Sequence, residues 1–393
     1  MAQIVPLVGS LVLARQYAPT EFGIFSAWLG IVLLLGVVLT GRFETALAIV
    51  PDGEPRRLAA LSTLATTLLA ACVAAVVCGI SVQLVPTIAD HFSPSMVILL
   101  VPTALAIAVA QTWQSWAAAE GRYRQLSAMR ITQAAAVTGG QVTIGTLNPS
   151  ATSLALAHVA GVIVGLALSI YLMPPGVFPR NQAKQTVLNF WRQHHRFPTL
   201  SLPADAINTA AAQLPVLLVA GRFGADIAGL LAMTMRILGA PIALLGKSVL
   251  DVFKRHAAKS YRERGECRAD YVRTFRVLAI ASLGFCVVMA SISEPFFALA
   301  FGENWRGSGT IAVWLLPLFA LRFIASPLSY MVYIAGKQHV DLVWQIALFA
   351  MTIAALNIPH VHDIALQTYS AGYSLLYVIY LAMSYRFSLG NRR

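Results

Sequence analysis

The chain has 393 residues, 58% of them hydrophobic and only 11% charged, against roughly 25% charged in soluble domains. That balance excludes a soluble globular fold, a disordered chain, collagen and a coiled coil, and leaves a polytopic membrane protein. The net charge of +12 would suit nucleic acid, but the positions of the charges argue for a different cause.

Twelve apolar runs follow one another, at 1–14, 23–50, 58–86, 94–119, 127–146, 152–173, 198–220, 226–251, 277–300, 308–335, 339–357 and 364–386. Lipid offers backbone polar groups no partner, so each run reads as a helix. The first is too short to cross about 30 Å of hydrocarbon at 1.5 Å per residue. It also lacks the basic region and cleavage site of a signal peptide, so helix one reads as truncated or its start as misplaced. The connections are short and leave no room for a soluble domain. Cys72, Cys78, Cys267 and Cys286 form no CxxC pair, so neither a disulfide framework nor a zinc site is implied.

Assigning alternate connections to opposite sides places 21 Lys and Arg residues on one side and only Arg15, Arg222 and Arg306 on the other. Such asymmetry is the positive-inside signal. It puts both termini in the cytoplasm and makes the basic excess a matter of topology, with no nucleic acid partner. Eight of the cations lie between Lys254 and Arg276. That segment reads as a topology signal on a solvated helix, with a grip on anionic lipid headgroups as the rival reading. Trp113, Trp116, Trp191 and Trp305 fall near span ends, as in an aromatic belt.

A faint repeat appears at a shift of 206 residues, which lays LARQYAPTEFGIFS (13–26) on VAGRFGADIAGLLA (219–232). Two six-helix halves follow: 1–173, a cytoplasmic linker at 174–197, and 198–393. Two such halves around a central cavity are a transporter layout.

Charges inside spans cost roughly 2.5–3.5 kcal/mol each on insertion scales and therefore ask for a reason. In chain order, Arg42 and Glu44 lie in the second span, although residues two apart do not face each other on a helix. Gln111 and Gln114 mark a face of the fourth span, as cavity lining or as glue between helices. Asp205, Asn208 and Thr209 mark the seventh, with Asp205 either a counter-ion for an arginine elsewhere or a proton-coupling group. Arg236 and Lys247 share one face of the eighth on either side of Pro241, where a kink is expected; Lys247 could equally snorkel to the cytoplasmic surface. Arg322 opens a polar stripe with Ser326, Ser329 and Tyr333. Four cations against two acids, Glu44 and Asp205, predict an electropositive interior, and guanidinium forks suit phosphate. There is no GxxxxGK[ST], HExxH or GxSxG motif, and His194 and His195 have no acids close by. No catalytic residue, metal site or cofactor is expected.

Five stretches, LARQYAPTEFGIFS (13–26), GRFETALAIVP (41–51), the segment 213–253, FGENWRGSG (301–309) and LRFIASPLS (321–329), resemble the Wzx-like oligosaccharide flippases, a polysaccharide biosynthesis family of the MOP exporter superfamily. The resemblance runs in order along nearly the whole chain. It implies an all-α protein of about 12 transmembrane helices in two six-helix bundles. Its activity would be alternating-access movement of an undecaprenyl-diphosphate-linked oligosaccharide from the inner to the outer leaflet of the bacterial cytoplasmic membrane, for cell-surface or exopolysaccharide synthesis such as O-antigen. Cationic cavity residues would hold the diphosphate and sugars, here Arg42, Arg236, Lys247 and Arg322. Gln111, Gln114, Asn208 and Ser326 would line the cavity, and Glu44 and Asp205 would serve as counter-ions or couple an ion. Partners would be the lipid-linked oligosaccharide, membrane lipids, and a polymerase and chain-length protein. The rival readings are an integral-membrane glycan polymerase or ligase, which would need a sizeable outer loop, and a multidrug exporter of the same superfamily, which would prefer acidic cavity residues.

Overall fold

The computed structural model describes residues 4–84, 92–176 and 183–390. The α-helices are α1 (Ile4–Gln16), α2 (Pro19–Thr40), α3 (Glu54–Leu84), α4 (Pro94–Ala119), α5 (Tyr123–Gly145), α6 (Ala151–Leu172), α7 (Ala183–His194), α8 (Leu202–Phe223), α9 (Ala225–Arg264), α10 (Arg268–Phe301), α11 (Arg306–Leu328), α12 (Met331–Ile334), α13 (Gln338–Asn357) and α14 (His362–Ser388). A 3-10 segment, Phe43–Ala48, follows α2, and a π-helical turn, Phe197–Ser201, leads into α8. No strand occurs among the described residues. Nine of the described helices are long and apolar enough to cross a membrane, and the chain is a multi-pass membrane protein.

All twelve apolar runs contain a helix, yet several ends differ from expectation. The second span, read as 23–50, stops at Thr40. Gly41 closes it in the left-handed region at φ 57, its N–H bonded to the Val38 carbonyl, and Arg42 follows at φ 60. The tenth span, read as 308–335, stops at Leu328, and Tyr333 belongs to the separate turn α12. The basic segment 252–276 is nearly all helix, because α9 runs 40 residues to Arg264 and α10 begins at Arg268. At 1.5 Å per residue α9 is about 60 Å long, twice the hydrocarbon thickness. The repeat shows in the helix ends: α2 starts at Pro19 and α9 at Ala225, the same shift of 206 that aligns the sequences.

The chain clusters into two compact units, Met1–Leu217 and Leu218–Arg393, so the described residues 183–217 group with the first; of the stretch 174–197 read as a linker, residues 177–182 lie outside the described ones. In the first unit α4 packs on α2, α3 and α6, and α5 pairs with α6. The Trp28 indole donates to the Met96 carbonyl (2.8 Å) and that of Trp113 to the Met173 carbonyl (3.0 Å). Trp113, Trp116 and Trp305 are all buried, and Trp191 bonds the Thr66 hydroxyl. These four rings fasten helices together, in place of the lipid-facing belt expected of them. In the second unit α11 is central, against α9, α10 and α14. Serine and threonine hydroxyls inside the helices mostly bond the carbonyl one turn back, as Thr63 does to Ala59 and Thr234 to Leu230, which satisfies them without water.

Candidate functional site

In the first unit the break after α2 builds a charge cluster. Two successive left-handed residues turn the chain out of the helix, and the Thr40 hydroxyl accepts from the Arg42 N–H (3.2 Å) while the Thr45 hydroxyl donates to the Arg42 carbonyl (2.6 Å). With the helix unwound, the rule that residues two apart face away no longer applies. Arg42 Nη1 donates to Glu44 Oε1 at 2.8 Å, and its Nε lies 2.7 Å from Asp205 Oδ2, a charge contact without the alignment of a hydrogen bond. Glu44 is buried, at 3% exposure, and its Oε2 has no hydrogen-bond partner; Arg42 is half-buried and Asp205 more open. One cation against two carboxylates makes this cluster net acidic, whereas the span count predicted surplus positive charge. Removing Arg42 strands the buried Glu44. Arg42→Ala is expected to cost about 1–3 kcal/mol, and Glu44→Gln in the same chain to recover most of it; the thermal midpoints of single and double variants check this.

The other polar positions of this unit separate into two kinds. Gln114 joins α4 to α5, donating to Gln133 Oε1 and accepting from Arg130 Nε, each at 3.1 Å. Gln111 Oε1 is buried without a hydrogen-bond partner, and Asn208 on α8 is exposed.

In the second unit Arg322 sits half-buried on α11, its guanidinium 6.0 Å from the Phe319 ring centre and within electrostatic reach of the hydroxyls of Tyr369, Tyr373 and Tyr377 on α14. Those three tyrosines, one helical turn apart, form a ladder with successive ring centres 5.3 Å apart. Among the described residues no carboxylate lies within ion-pair distance of Arg322. A methyl built on Gly239 of α9 would meet the Phe319 ring at 3.8 Å and one on Gly246 would meet the Ser326 hydroxyl at 3.9 Å, so α9 and α11 run side by side in the same direction. Arg236 lies on α9 nearer its start and is half-buried. Lys247 also lies on α9, but its side chain is outside the described ones. The stripe continued from Ser326 to Ser329 and Tyr333 is broken by the end of α11. Ser329 caps the helix and donates to the Ser326 carbonyl (2.8 Å), and Tyr333 is exposed.

In the sequence Arg56 reads as one more cation of a connecting loop, yet it is buried at 6% exposure. Its guanidinium donates to the carbonyls of Leu47 (3.0 Å), Val50 (2.8 Å) and Ala119 (3.1 Å) and to Glu120 (3.3 Å), and it also pairs with Asp52. It gathers the ends of the 3-10 segment and of α4 onto the start of α3. The tyrosine ladder leaves one trace in the sequence, its spacing of four. No group of three His, Cys, Asp or Glu that could hold a metal occurs among the described residues.

The family described as polysaccharide biosynthesis protein matches residues 12–309. The teichuronic acid biosynthesis protein TuaB of Bacillus subtilis (strain 168) is 22% identical over 148 residues, 38% of this chain and 31% of that protein, so the match spans about a third of that relative's length. An inward-facing multidrug resistance MATE family transporter of the MOP superfamily superposes with a TM-score of 0.72 at 12% identity, over 99% of this chain and 95% of that one. The lipid II flippase MurJ in its inward closed conformation gives 0.72 at 12% identity over 98% and 86%. At that identity the two likenesses establish the fold alone, which the chain shares with both structures.

Proposed function

The chain belongs to the polysaccharide biosynthesis protein family, and from that premise we propose that it is a non-enzymatic flippase. It carries an undecaprenyl-diphosphate-linked oligosaccharide from the inner to the outer leaflet of a bacterial cytoplasmic membrane, by alternating access, to supply a cell-surface or extracellular polysaccharide. Both termini lie in the cytoplasm, and a polymerase and a chain-length protein take over outside.

The observation that carries this reading is Arg322. A guanidinium held among helices without a facing carboxylate bears a desolvation cost that an anion would offset. Its planar fork fits the oxygens of a diphosphate in pairs. The ladder of Tyr369, Tyr373 and Tyr377 beside it offers ring faces and hydroxyls of the kind that meet sugar rings. Sugars and phosphates cannot cross hydrocarbon unaided, and a polar passage lowers that barrier while the lipid chain stays in the bilayer. An inside-negative potential of 100 mV favours outward movement of each negative charge by about 2.3 kcal/mol. The net acidic cluster of Arg42, Glu44 and Asp205 supports a different task, holding a coupling cation such as a proton or sodium ion; Arg42 then serves as the internal cation that such an ion displaces.

In a strain that depends on this chain, Arg322→Ala is expected to lower export by at least about tenfold, the worth of one charged hydrogen bond pair, with normal amounts of protein in the membrane. Lipid-linked oligosaccharide then accumulates on the inner leaflet. Export at the normal rate with normal protein levels refutes the assignment, and normal outward delivery of units that stay unpolymerised points to the polymerase instead.

A further inference from the structure

Two cavities of the second unit follow one another along α9, one between α9 and α10 and the other among α9, α10 and α11. One, of about 300 Å³, is bounded by Val252, Phe253 and His256 on α9 and by Asp270, Arg273 and Val277 on α10. The other, of about 190 Å³, is bounded by Leu238, Ile242 and Leu245 on α9, Phe285 on α10, and Phe319 and Phe323 on α11. They abut: Leu245 of the second is one helical turn from Val249 of the first, and Ala281 of the second one turn from Val277 of the first. Together they make one groove from His256 to Leu238, 18 residues along α9, or about 27 Å at 1.5 Å per residue, close to the hydrocarbon thickness.

The groove is graded along its length. The Leu238 end is lined by aliphatic and aromatic side chains, with Ser282 its one hydroxyl. The His256 end has Arg273, Asp270 and Thr274 in its wall and lies within the segment that carries eight cations against Glu263, Glu266 and Asp270. Its mouth faces outward, since Leu245, Val252 and Val277 are each more than half exposed. A long apolar trough that opens sideways and ends at a basic patch has the outline of one lipid molecule, tail in the trough and anionic head at the patch.

We propose that this α9–α10 groove holds the polyprenyl chain of a phosphate-headed carrier lipid, with its phosphate on Arg273 and His256. The inference rests on the flippase reading and adds to it the place where the carrier's tail stays while its head group is handed on. Charge complementarity selects the anionic head, and an apolar end of only about 190 Å³ suits one unbroken chain better than the paired chains of a bulk phospholipid. Asp270, whose Oδ2 is enclosed without a hydrogen-bond partner, is the wall's one negative group and tells the alternatives apart: it opposes a phosphate and would attract an amine.

The test counts retained lipid and involves no transport. The full chain in phosphatidylcholine nanodiscs is given equal amounts of undecaprenyl phosphate, phosphatidylglycerol and phosphatidylethanolamine, and native mass spectrometry reads what stays bound. One undecaprenyl phosphate per chain is expected, in preference to phosphatidylglycerol. Arg273→Glu should lower its occupancy at least about tenfold, as expected for a lost charged contact. Ile242→Trp, which fills the trough, should do the same, and Asp270→Asn should leave retention equal or higher. Ile242→Trp keeps the test decisive if Arg273→Glu does not fold, as judged by its thermal midpoint. Unchanged retention in both variants, equal retention of phosphatidylglycerol, or displacement by phosphatidylethanolamine with loss in Asp270→Asn each overturns the proposal. Because Arg322→Ala export is scored separately, normal export there with intact retention refutes the flippase site and leaves the groove, and the reverse pair of results does the opposite.

Discussion

Arg56→Ala is expected to destabilise the protein by about 3–5 kcal/mol, since three enclosed carbonyls lose their donor at about 1–3 kcal/mol each. The reason lies in what the guanidinium leaves behind. Three carbonyls, of Leu47, Val50 and Ala119, and the carboxylates of Glu120 and Asp52 converge on it, and those carbonyls belong to chain ends that have no further helical donor. Alanine removes every donor at once; Asp52, 86% exposed, can turn to water, whereas the carbonyls face a side chain that is only 7% exposed. Lysine restores the charge but offers a single point in place of the fork, so Arg56→Lys should recover only part of the loss. Arg122 and Arg124, read from the sequence as equivalent cytoplasmic charges, are exposed, and their alanine variants should stay within about 0.5 kcal/mol of the parent. Thermal midpoints by fluorescence-detected size exclusion compare the set. An Arg56→Ala protein that melts with the Arg122→Ala protein would show that the network adds nothing.

Gly161→Leu should be the other severe change, with little or no monodisperse protein recovered. A Cβ at Gly161 would lie 2.4 Å from the Val137 backbone, and one at Gly165 would lie 2.5 Å from the Cβ of Gln133. Gly161 and Gly165 are one turn apart on α6, the small-residue spacing that lets two membrane helices approach backbone to backbone. Here they seat α6 on α5. Even a methyl group forces that pair apart, at about 1–3 kcal/mol for overpacking, and a leucine forces it further. Gly79 of α3 has nothing within 4 Å of its would-be Cβ, so Gly79→Leu should be tolerated, since leucine is the better helix former. Equal recovery of the two variants would refute the close approach.

The helices were legible because their signal is collective. Some twenty apolar residues in a row leave the backbone no other way to satisfy its hydrogen bonds, and a few misread positions change nothing. Single residues lack that protection. The sequence GRF at 41–43 carries no proline, so the second span was read straight through it, and the wheel drawn on that helix sent Arg42 and Glu44 to different faces. Two left-handed residues place them on the same side. Arg56 was hidden by its neighbours: flanked by Asp52, Glu54 and Arg57, it has the composition of a loop, and only packing against the end of α4 encloses it. Tyr369, Tyr373 and Tyr377 had a readable period, but tyrosines at helical spacing are common in ordinary cores, and the spacing alone does not say that an arginine from another helix lies beside them. Asp205 as a partner of Arg42 depends on a contact across 163 positions of chain, which no local pattern encodes.

The π-helical turn at Phe197–Ser201 has its own effect on that contact. A π turn holds one residue more than an α turn, so everything after it is swung by about 100° around the helix axis relative to an unbroken spiral. Asp205 begins four residues past the turn. The carboxylate's bearing toward Arg42 is therefore set by one surplus residue upstream, in the way an extra tooth sets the phase of a gear. Were that turn to relax into the ordinary spiral, α8 as a whole would turn about its axis and carry the carboxylate with it, and the guanidinium would be left to Glu44 alone.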